Sequence, residues 1–182
     1  MSPLTDKQRA QKKKKKKQDY LTVATSIFQE KGFHDATIEL ITQKAGTSVG
    51  NFYVYFDSKE QIFEQIVDNF YNDFMDNLME INRGPLTFST IRSIIKEFVL
   101  IFEENRNMAL LFVEQMGGIN ERFTSLRKQY QRQITKWIEN ILKNIEKDLL
   151  NPKINPRTAS HIWAGAILEC AISWLREGGT IT

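Results

Sequence analysis

The sequence predicts an all-α protein in two parts, a three-helix helix-turn-helix domain followed by a larger helical domain. Three observations predict this fold. Apolar residues recur at spacings of three and four along most of the chain, which is the period of an amphipathic helix. No stretch alternates with the period of two that a half-buried strand requires. One long helical pattern joins the two parts, and no Gly- or Pro-rich linker separates them.

Composition limits the function classes. The 182 residues suit one or two small domains, and 41% of them are hydrophobic, which is enough for a sizeable core. The net charge is only +3, but residues 1–17 hold eight Lys or Arg against a single Asp. The remainder is therefore net negative. A basic segment on a mildly acidic body predicts a polyanionic partner at one end of the molecule.

Signals of catalysis, metal binding and membrane insertion are weak. The single cysteine, Cys170, excludes a disulfide within the chain and fits a reducing cytoplasm. The two histidines, His34 and His161, have no Cys or carboxylate at metal-ligand spacing, and no phosphate or dinucleotide loop is present. No apolar run approaches the roughly 18 residues that span a bilayer. We therefore expect no catalytic residue, metal, cofactor or membrane partner, and a cytoplasmic location.

The first segment, residues 1–17, is polar and rich in lysine. We interpret it as a basic disordered arm or a frayed helix start, because its like charges repel and nothing in it can be buried. It is either a solubilising tail or an arm that meets DNA phosphates, and its position before the next motif favours the second. An amphipathic helix from Tyr20 to Phe28 follows and is predicted to end at Gly32.

The stretch from Thr37 to Phe63 has the form of a helix-turn-helix. Thr37 suits the N-cap of the first helix, and Gly46 suits the left-handed residue that ends it. Ser48 caps a second short helix, and residues 58–61 form a capping box for a third. The expected core of this domain is Phe28, Phe33, Ile38, Ile41, Phe52 and Phe56.

The run AGTSVGNFYVYFDSKE, from Ala45 to Glu60, closely resembles the signature of the TetR family of bacterial transcriptional regulators. Upstream residues extend the resemblance over residues 14–69, although Thr42 and Tyr55 replace the usual Ala and His. The resemblance implies a DNA-binding domain at 18–69 and a ligand-binding and dimerisation domain at 70–182. It also implies a double-stranded DNA operator, a small hydrophobic effector and a homodimer.

The second helix of the motif would enter the major groove with its N-terminus first. Val49 would then touch a thymine methyl, Gly50 would let the backbone approach, and Asn51 would pair with adenine. The resemblance implies phosphate contacts by Tyr53 and Tyr55, and helix starts at Thr37 and Lys59 would face phosphates. The predicted DNA-binding residues are Thr37, Thr47, Ser48, Val49, Gly50, Asn51, Tyr53, Tyr55 and Lys59.

Helical patterns fill the rest of the chain. A long helix from Ser58 to about Ile81 crosses the domain boundary and is stiff, so we expect motion at one end to appear at the other. Further apolar stripes cover 91–102, 108–116, 123–145 and 156–174, with breaks expected at 83–85, 105–107, Gly117-Gly118 and Asn151-Pro152. Asn155 is predicted to cap the last of these helices, with Pro156 at its first helical position.

Two sets of residues in this part have candidate functions. Each residue of the first set is individually consistent with plain core packing, but the family resemblance implies a ligand cavity lined by Phe74, Leu78, Phe98, Phe102, Phe112, Met116 and Trp137. The last helix is apolar nearly all round, which predicts that a second subunit covers one side. Its expected interface residues are Ile162, Ala166, Cys170 and Trp174.

These patterns together predict a DNA-binding transcriptional regulator, a repressor that binds a pseudo-palindromic operator as a dimer and is released by a small hydrophobic ligand. The alternative is a helical enzyme or scaffold with a basic tail. Retention on a specific operator at moderate salt separates the two.

Overall fold

Helices form the regular structure of the described part of this computed structural model, which covers residues 5–81, 87–144 and 153–177. The chain divides into two units, Met1–Asn69 and Phe70–Thr182. The all-α prediction is confirmed for the described ranges. None of the helices in these ranges combines the length and the apolar character that crossing a bilayer requires.

The first helix, α1, spans Asp6–Asp35 and is longer than the sequence indicated. It begins with a capping box in which the Thr5 hydroxyl accepts from the Gln8 N–H at 3.3 Å and the Gln8 side chain accepts from the Thr5 N–H at 2.9 Å. Disorder was therefore the wrong interpretation for residues 6–17, and the helix-start alternative applies. Lysine has a good helix propensity, and extending an existing helix needs no new nucleus.

Glycines shape the chain of the first unit where the sequence predicts. Gly32 has φ of 75° and breaks the helical geometry near the end of α1, and Phe33 turns into the core. Helix α2, Ile38–Lys44, is capped by the Thr37 hydroxyl, and the left-handed Gly46 with φ of 61° follows it. Helix α3, Val49–Phe52, is capped by Ser48.

The core of the first unit is aromatic. All but one of the predicted core residues are buried, namely Phe28, Phe33, Ile41, Phe52 and Phe56, whereas Ile38 is half-buried. The rings of Phe28, Phe33 and Phe63 lie within 6 Å of one another, centroid to centroid. The buried Thr42 satisfies its hydroxyl by donating to the Glu39 carbonyl at 3.0 Å, so it fits where the family usually has Ala.

Helix α4, Lys59–Ile81, begins in the first unit and ends in the second. The Ser58 hydroxyl accepts from the Gln61 N–H at 3.2 Å, as a capping box requires. The return bond differs from the expected one, because the Gln61 side chain accepts from the N–H of Asp57 at 2.6 Å. The box is thus widened by one residue.

The second unit consists of the rear of α4 and the helices that follow. These are α5 (Phe88–Glu104), α6 (Arg106–Leu110), a π-helical turn (Leu111–Gln115), α7 (Met116–Ile119), α8 (Glu121–Lys143) and α9 (Pro156–Glu177). The Asn155 side chain accepts from the N–H groups of Arg157 and Thr158 and caps α9, as predicted. The expected breaks at 83–85 and 151–152, and the last turns of the 123–145 stripe from residue 145 onward, lie outside the described residues.

The expected break at Gly117-Gly118 is wrong. Both glycines lie inside α7, next to the fully buried Met116, so packing offsets their low helix propensity. The break falls instead at Asn120, whose side chain accepts from the Phe123 N–H at 3.0 Å and caps α8.

Candidate nucleic-acid interface and apolar cavity

Helix α3 presents an uncharged, partly apolar surface to solvent. Its Phe52 is fully buried, whereas Val49, Tyr53 and Val54 are 36%, 52% and 59% exposed. Apolar side chains that stay exposed until a partner covers them are typical of an interaction surface. A Cβ added at Gly50 would meet only the Ser48 hydroxyl, at 4.0 Å, so packing within the chain does not require a glycine there.

A tyrosine hydroxyl from α1 binds the side chain of Asn51 in α3. Tyr20 is fully buried, yet its hydroxyl donates to Asn51 Oδ1 at 2.9 Å and lies 2.8 Å from Thr47 Oγ1. The Asn51 N–H donates in turn to the Ser48 hydroxyl at 3.2 Å. Asn51 is therefore held by hydrogen bonds at both its backbone N–H and its side-chain oxygen. Such support is typical of a residue that is pre-organised to contact a ligand.

The Asn51 side chain keeps the groups that base recognition needs. Its Oδ1 has a second lone pair, and its NH₂ carries two donors. A bidentate contact with adenine requires one acceptor and one donor. The adenine contact therefore stays a prediction that the geometry permits.

A basic groove lies between α1 and α3. Its lining is Arg9, Lys12, Lys13, Lys15, Lys16, Asp19, Asn51, Val54 and Tyr55. Arg9, Lys12 and Lys16 are spaced at three and four residues, so they share the face of α1 that continues to Tyr20. The lysine run is thus not a uniform tail, because one of its faces lies beside the exposed surface of α3.

The other predicted DNA-binding residues differ in their availability. The hydroxyls of Thr37 and Ser48 already accept hydrogen bonds as helix caps. Tyr53 is exposed, whereas Tyr55 is half-buried and packs its ring 5.5 Å from the ring of Tyr20. Their phosphate contacts remain predictions.

Lys59 has an additional role that the sequence did not indicate. Its ammonium donates to the main-chain carbonyls of Phe33 at 2.7 Å, His34 at 3.3 Å and Ala36 at 2.8 Å. It also lies 4.4 Å from the centroid of the Phe33 ring. Three donors thus match three acceptors at the carboxyl end of α1, where a cation is favourable. A phosphate contact by Lys59 stays a prediction, and it competes with these bonds.

The second unit encloses an apolar cavity of about 170 Å³. Six of the seven predicted pocket residues line it, namely Phe74, Leu78, Phe98, Phe102, Phe112 and Trp137. Met116 does not, because it is fully buried in the surrounding core. The aromatic part of the wall is continuous, since the Phe98 and Phe102 rings stack at 4.5 Å and Phe74 lies 5.7 Å from each.

The sequence missed most of the cavity wall, including its polar part. The further lining residues are Phe70, Tyr71, Ile91, Ile94, Ile95, Val113, Arg127, Gln131, Ile134, Ile138, Ile141, Trp163, Ala164, Ile167 and Leu168. Burial raises the pKa of Tyr71 to about 12. Arg127 and Gln131 are one turn apart on α8, a spacing visible in the sequence once α8 is known to face the cavity.

Helix α9 leaves one face uncovered in the single chain. Ile162 is 64% exposed, and Ala166 and Cys170 are exposed beside it. Trp174, also predicted for the interface, is half-buried and lies 5.7 Å from the guanidinium of Arg106. Three of the four predicted interface residues thus form one exposed apolar strip, and the fourth packs within the chain.

Comparison with known proteins gives consistent results. The profile of "Bacterial regulatory proteins, tetR family" matches residues 21–66. An uncharacterized HTH-type transcriptional regulator of Bacillus subtilis, YvdT, is 30% identical over 142 residues, which are 76% of this chain and 73% of that protein. The HTH-type transcriptional repressor KstR2 of Rhodococcus jostii is 23% identical, over 90% of this chain and 81% of its own.

Solved structures share the fold. The fatty acid degradation regulator FadR of Bacillus halodurans matches with a TM-score of 0.78 at 17% identity, covering 90% of this chain and 86% of that one. FadR of Bacillus subtilis in complex with stearoyl-CoA matches with a TM-score of 0.77 at 18% identity, covering 88% of each chain. The similarity therefore extends through both units, beyond the matched helix-turn-helix.

Proposed function

Because this chain belongs to the TetR family of bacterial regulatory proteins, we propose that it is a DNA-binding transcriptional repressor that acts as a homodimer on a pseudo-palindromic operator and is released by a small apolar effector. In this proposal the first unit, residues 1–69, binds DNA, and the second, residues 70–182, binds the effector and the partner subunit. A DNA partner places the protein in the bacterial cytoplasm.

The observation that carries the DNA-binding proposal is the Tyr20 network. Its hydroxyl fixes the half-buried Asn51 of α3, and Tyr20 lies on the same face of α1 as the lysines that line the basic groove. Base contacts specify the sequence, and phosphate contacts supply affinity that depends on salt. Helix α3 provides the first kind of contact, and the Arg9–Lys16 face provides the second.

A pair of charge-matched variants tests the role of this face. Lys12→Gln/Lys16→Gln removes two charges that line the groove, and Lys7→Gln/Lys14→Gln removes two that do not. Glutamine has nearly the helix propensity of lysine, so α1 should persist in both. If each groove lysine neutralises one phosphate, the first variant should reduce the slope of log K against log salt by about 1.8, and the second should leave it nearly unchanged.

The expected readout is fluorescence anisotropy with a labelled duplex at several salt concentrations. Specific and unrelated duplexes should lose affinity by similar factors, because phosphates carry no sequence information. Equal slopes for the two variants would contradict the assignment, since the lysines would then act only through net charge. Loss of sequence preference in the groove variant would instead point to base reading by α1.

The dimer proposal rests on the exposed strip of Ile162, Ala166 and Cys170 on α9. A twofold axis beside this strip would pair it with its own copy, and helices α8 and α9 of both chains would form a four-helix bundle. Such a pair would set two copies of α3 in successive major grooves. That geometry requires a pseudo-palindromic site.

The release proposal rests on α4, which carries Lys59 at its start and the cavity-lining Phe74 and Leu78 in its rear half. A ligand that displaces the rear half would shift the start of a stiff helix. Ligand and DNA then favour different states, and linkage makes their antagonism mutual. Stearoyl-CoA bound to the structurally similar FadR of Bacillus subtilis supports an effector site in this fold.

The alternative, a helical enzyme or scaffold with a basic tail, makes a different prediction. A basic tail alone binds every duplex with the same affinity at a given salt concentration. Competition of a labelled duplex with unrelated DNA therefore distinguishes the two proposals.

A further inference from the structure

The geometry of the apolar cavity points to a narrower class of ligand. We propose that it takes an amphiphile with an unbranched acyl chain, and that Arg127 binds the carboxylate or thioester carbonyl at the head of this chain. The inference rests on the proposed function only in treating this cavity as the effector site.

Helix α8 gives the cavity a polar and an apolar end. The side chains that α8 contributes to the wall are, in order, Arg127, Gln131, Ile134, Trp137, Ile138 and Ile141. The first two are polar and the other four are apolar. A helix rises 1.5 Å per residue, so this row is about 21 Å long and its polar groups occupy one end.

Arg127 carries the polar recognition. Its Nε is buried and has no hydrogen-bond partner among the described residues. A buried, unpartnered donor costs about 1–3 kcal/mol, so a site that retains one is typically completed by a further acceptor. A carboxylate is the acceptor that a guanidinium binds best, and a carbonyl oxygen satisfies one N–H group.

Neighbouring groups at this end also suit an acceptor. Tyr71 lines the cavity and stacks on Tyr130 at 4.3 Å, which places it level with the α8 turn between Arg127 and Gln131. Its hydroxyl is a neutral donor at physiological pH, as that of an ordinary tyrosine is, and burial raises its pKa further. Gln131 both lines the cavity and is exposed to solvent. This end of the cavity therefore opens to solvent, and a bulky head group can remain outside.

The opposite end is apolar and backed by a packed core. Ile138 belongs to a buried cluster with Leu142 and Ala159, and Ile134 and Trp137 pack against that cluster. No charged residue other than Arg127 lines the cavity in the part of the chain that the structure describes. A ligand that reaches this end must therefore bring hydrocarbon.

Size and length together favour a chain over a fused ring system. The volume of about 170 Å³ is close to that of a cavity known to hold benzene, about 150 Å³. Spread along a wall about 21 Å long, the same volume gives a narrow slot. An unbranched chain fills a narrow slot, whereas a fused ring system requires its walls to separate.

Calorimetric titration with defined probes tests the proposal. The probes are decanoate, decanoyl-CoA, decan-1-ol, decylamine and naphthalene-2-carboxylate, added to the full-length protein below their aggregation concentrations. The variant Arg127→Met removes the guanidinium, and Arg132→Met makes the same charge change at an exposed position of α8 outside the cavity wall. Arg127→Lys keeps the charge and a donor.

We expect decanoate, decanoyl-CoA or both to bind the wild type more tightly than the alcohol, the amine and the naphthalene acid. Arg127→Met should weaken that binding by about 10- to 100-fold, the value of a charge-assisted hydrogen bond, and Arg127→Lys should recover part of it. Arg132→Met should match the wild type. Whichever of decanoate and decanoyl-CoA binds more tightly identifies the source as a free acid or a thioester.

Three results would overturn the inference: no binding of either acyl probe, binding of decan-1-ol as tight as that of the tighter acyl probe, or no effect of Arg127→Met. Tighter binding of the naphthalene acid would overturn the chain-shaped part. Duplex binding by the wild type without probe is measured separately. Specific duplex binding without acyl binding refutes this inference alone, and the absence of specific duplex binding refutes the proposed function while the calorimetric result still stands.

Discussion

The hydroxyl of Tyr20 offers the sharpest test of how this chain would position a base-reading side chain. Tyr20→Phe removes the donor to Asn51 Oδ1 and the partner of Thr47 Oγ1. The ring keeps its place, because it packs edge-on against Phe52 at 5.7 Å and against Phe56 at 6.3 Å. The variant therefore separates the hydrogen bonds from the packing.

The expected cost to folding is modest. Each net hydrogen bond contributes about 0.5–1.5 kcal/mol, so two contribute about 1–3 kcal/mol. Asn51 is half-buried and can turn to water, and Thr47 Oγ1 keeps its bond to the Thr42 carbonyl at 3.4 Å. We therefore expect a loss of about 1–2 kcal/mol in the free energy of unfolding, measured by urea denaturation.

The effect on DNA should be selective. Affinity for a specific duplex should fall by about 5-fold or more, equivalent to about 1 kcal/mol, because a loosened Asn51 loses part of a base contact. Affinity for an unrelated duplex should remain nearly unchanged, because the Arg9–Lys16 face is intact. Tyr130→Phe in the second unit is the matched control and should leave both affinities unchanged. Equal losses on both duplexes, or loss of stability with no effect on specific binding, would refute the positioning role.

Further predictions concern Lys59, the α9 strip and the cavity. Lys59→Met should lower the free energy of unfolding by about 1.5–3 kcal/mol in urea denaturation, because three carbonyls lose a charged donor. A changed salt slope of DNA binding without that loss of stability would instead favour a phosphate contact by Lys59. Ala166→Arg should give monomers in sedimentation where Thr22→Arg leaves a dimer, and a dimeric Ala166→Arg would exclude this interface. Phe102→Ala removes a buried side chain and should lower the free energy of unfolding by about 3–5 kcal/mol. Phe98 is half-buried, so Phe98→Ala should lower it less and chiefly weaken effector binding in calorimetry. Equal losses of stability would mean that both residues serve the core alone.

The features that could be predicted from the sequence are local ones. Thr37, Ser48 and Asn155 cap their helices as predicted, because a capping hydroxyl or amide acts within three residues of itself. The left-handed Gly46 is predictable for the same reason, since only the preferences of one residue and its neighbours decide it.

The features that the sequence did not reveal depend on residues far apart in the chain. Tyr20 and Asn51 are 31 residues apart, and Lys59 reaches carbonyls 23 to 26 residues before it. An apolar stripe showed that Tyr20 is buried but not where its hydroxyl points. The expected helix break at Gly117-Gly118 was wrong for a related reason. Tertiary packing around Met116 overrides the weak helix propensity of the two glycines.

Selection of binding sites from a pool of random duplex DNA tests the central claim most directly. The protein should enrich a pseudo-palindrome whose half-sites lie about one helical turn, or a little more, apart. Asn51→Ala should relax the preference at one symmetric pair of positions and leave the spacing unchanged. A pool that remains random after repeated selection at moderate salt, or an enriched sequence that Asn51→Ala binds with the same preference at every position, would contradict the assignment of α3 as the base-reading helix.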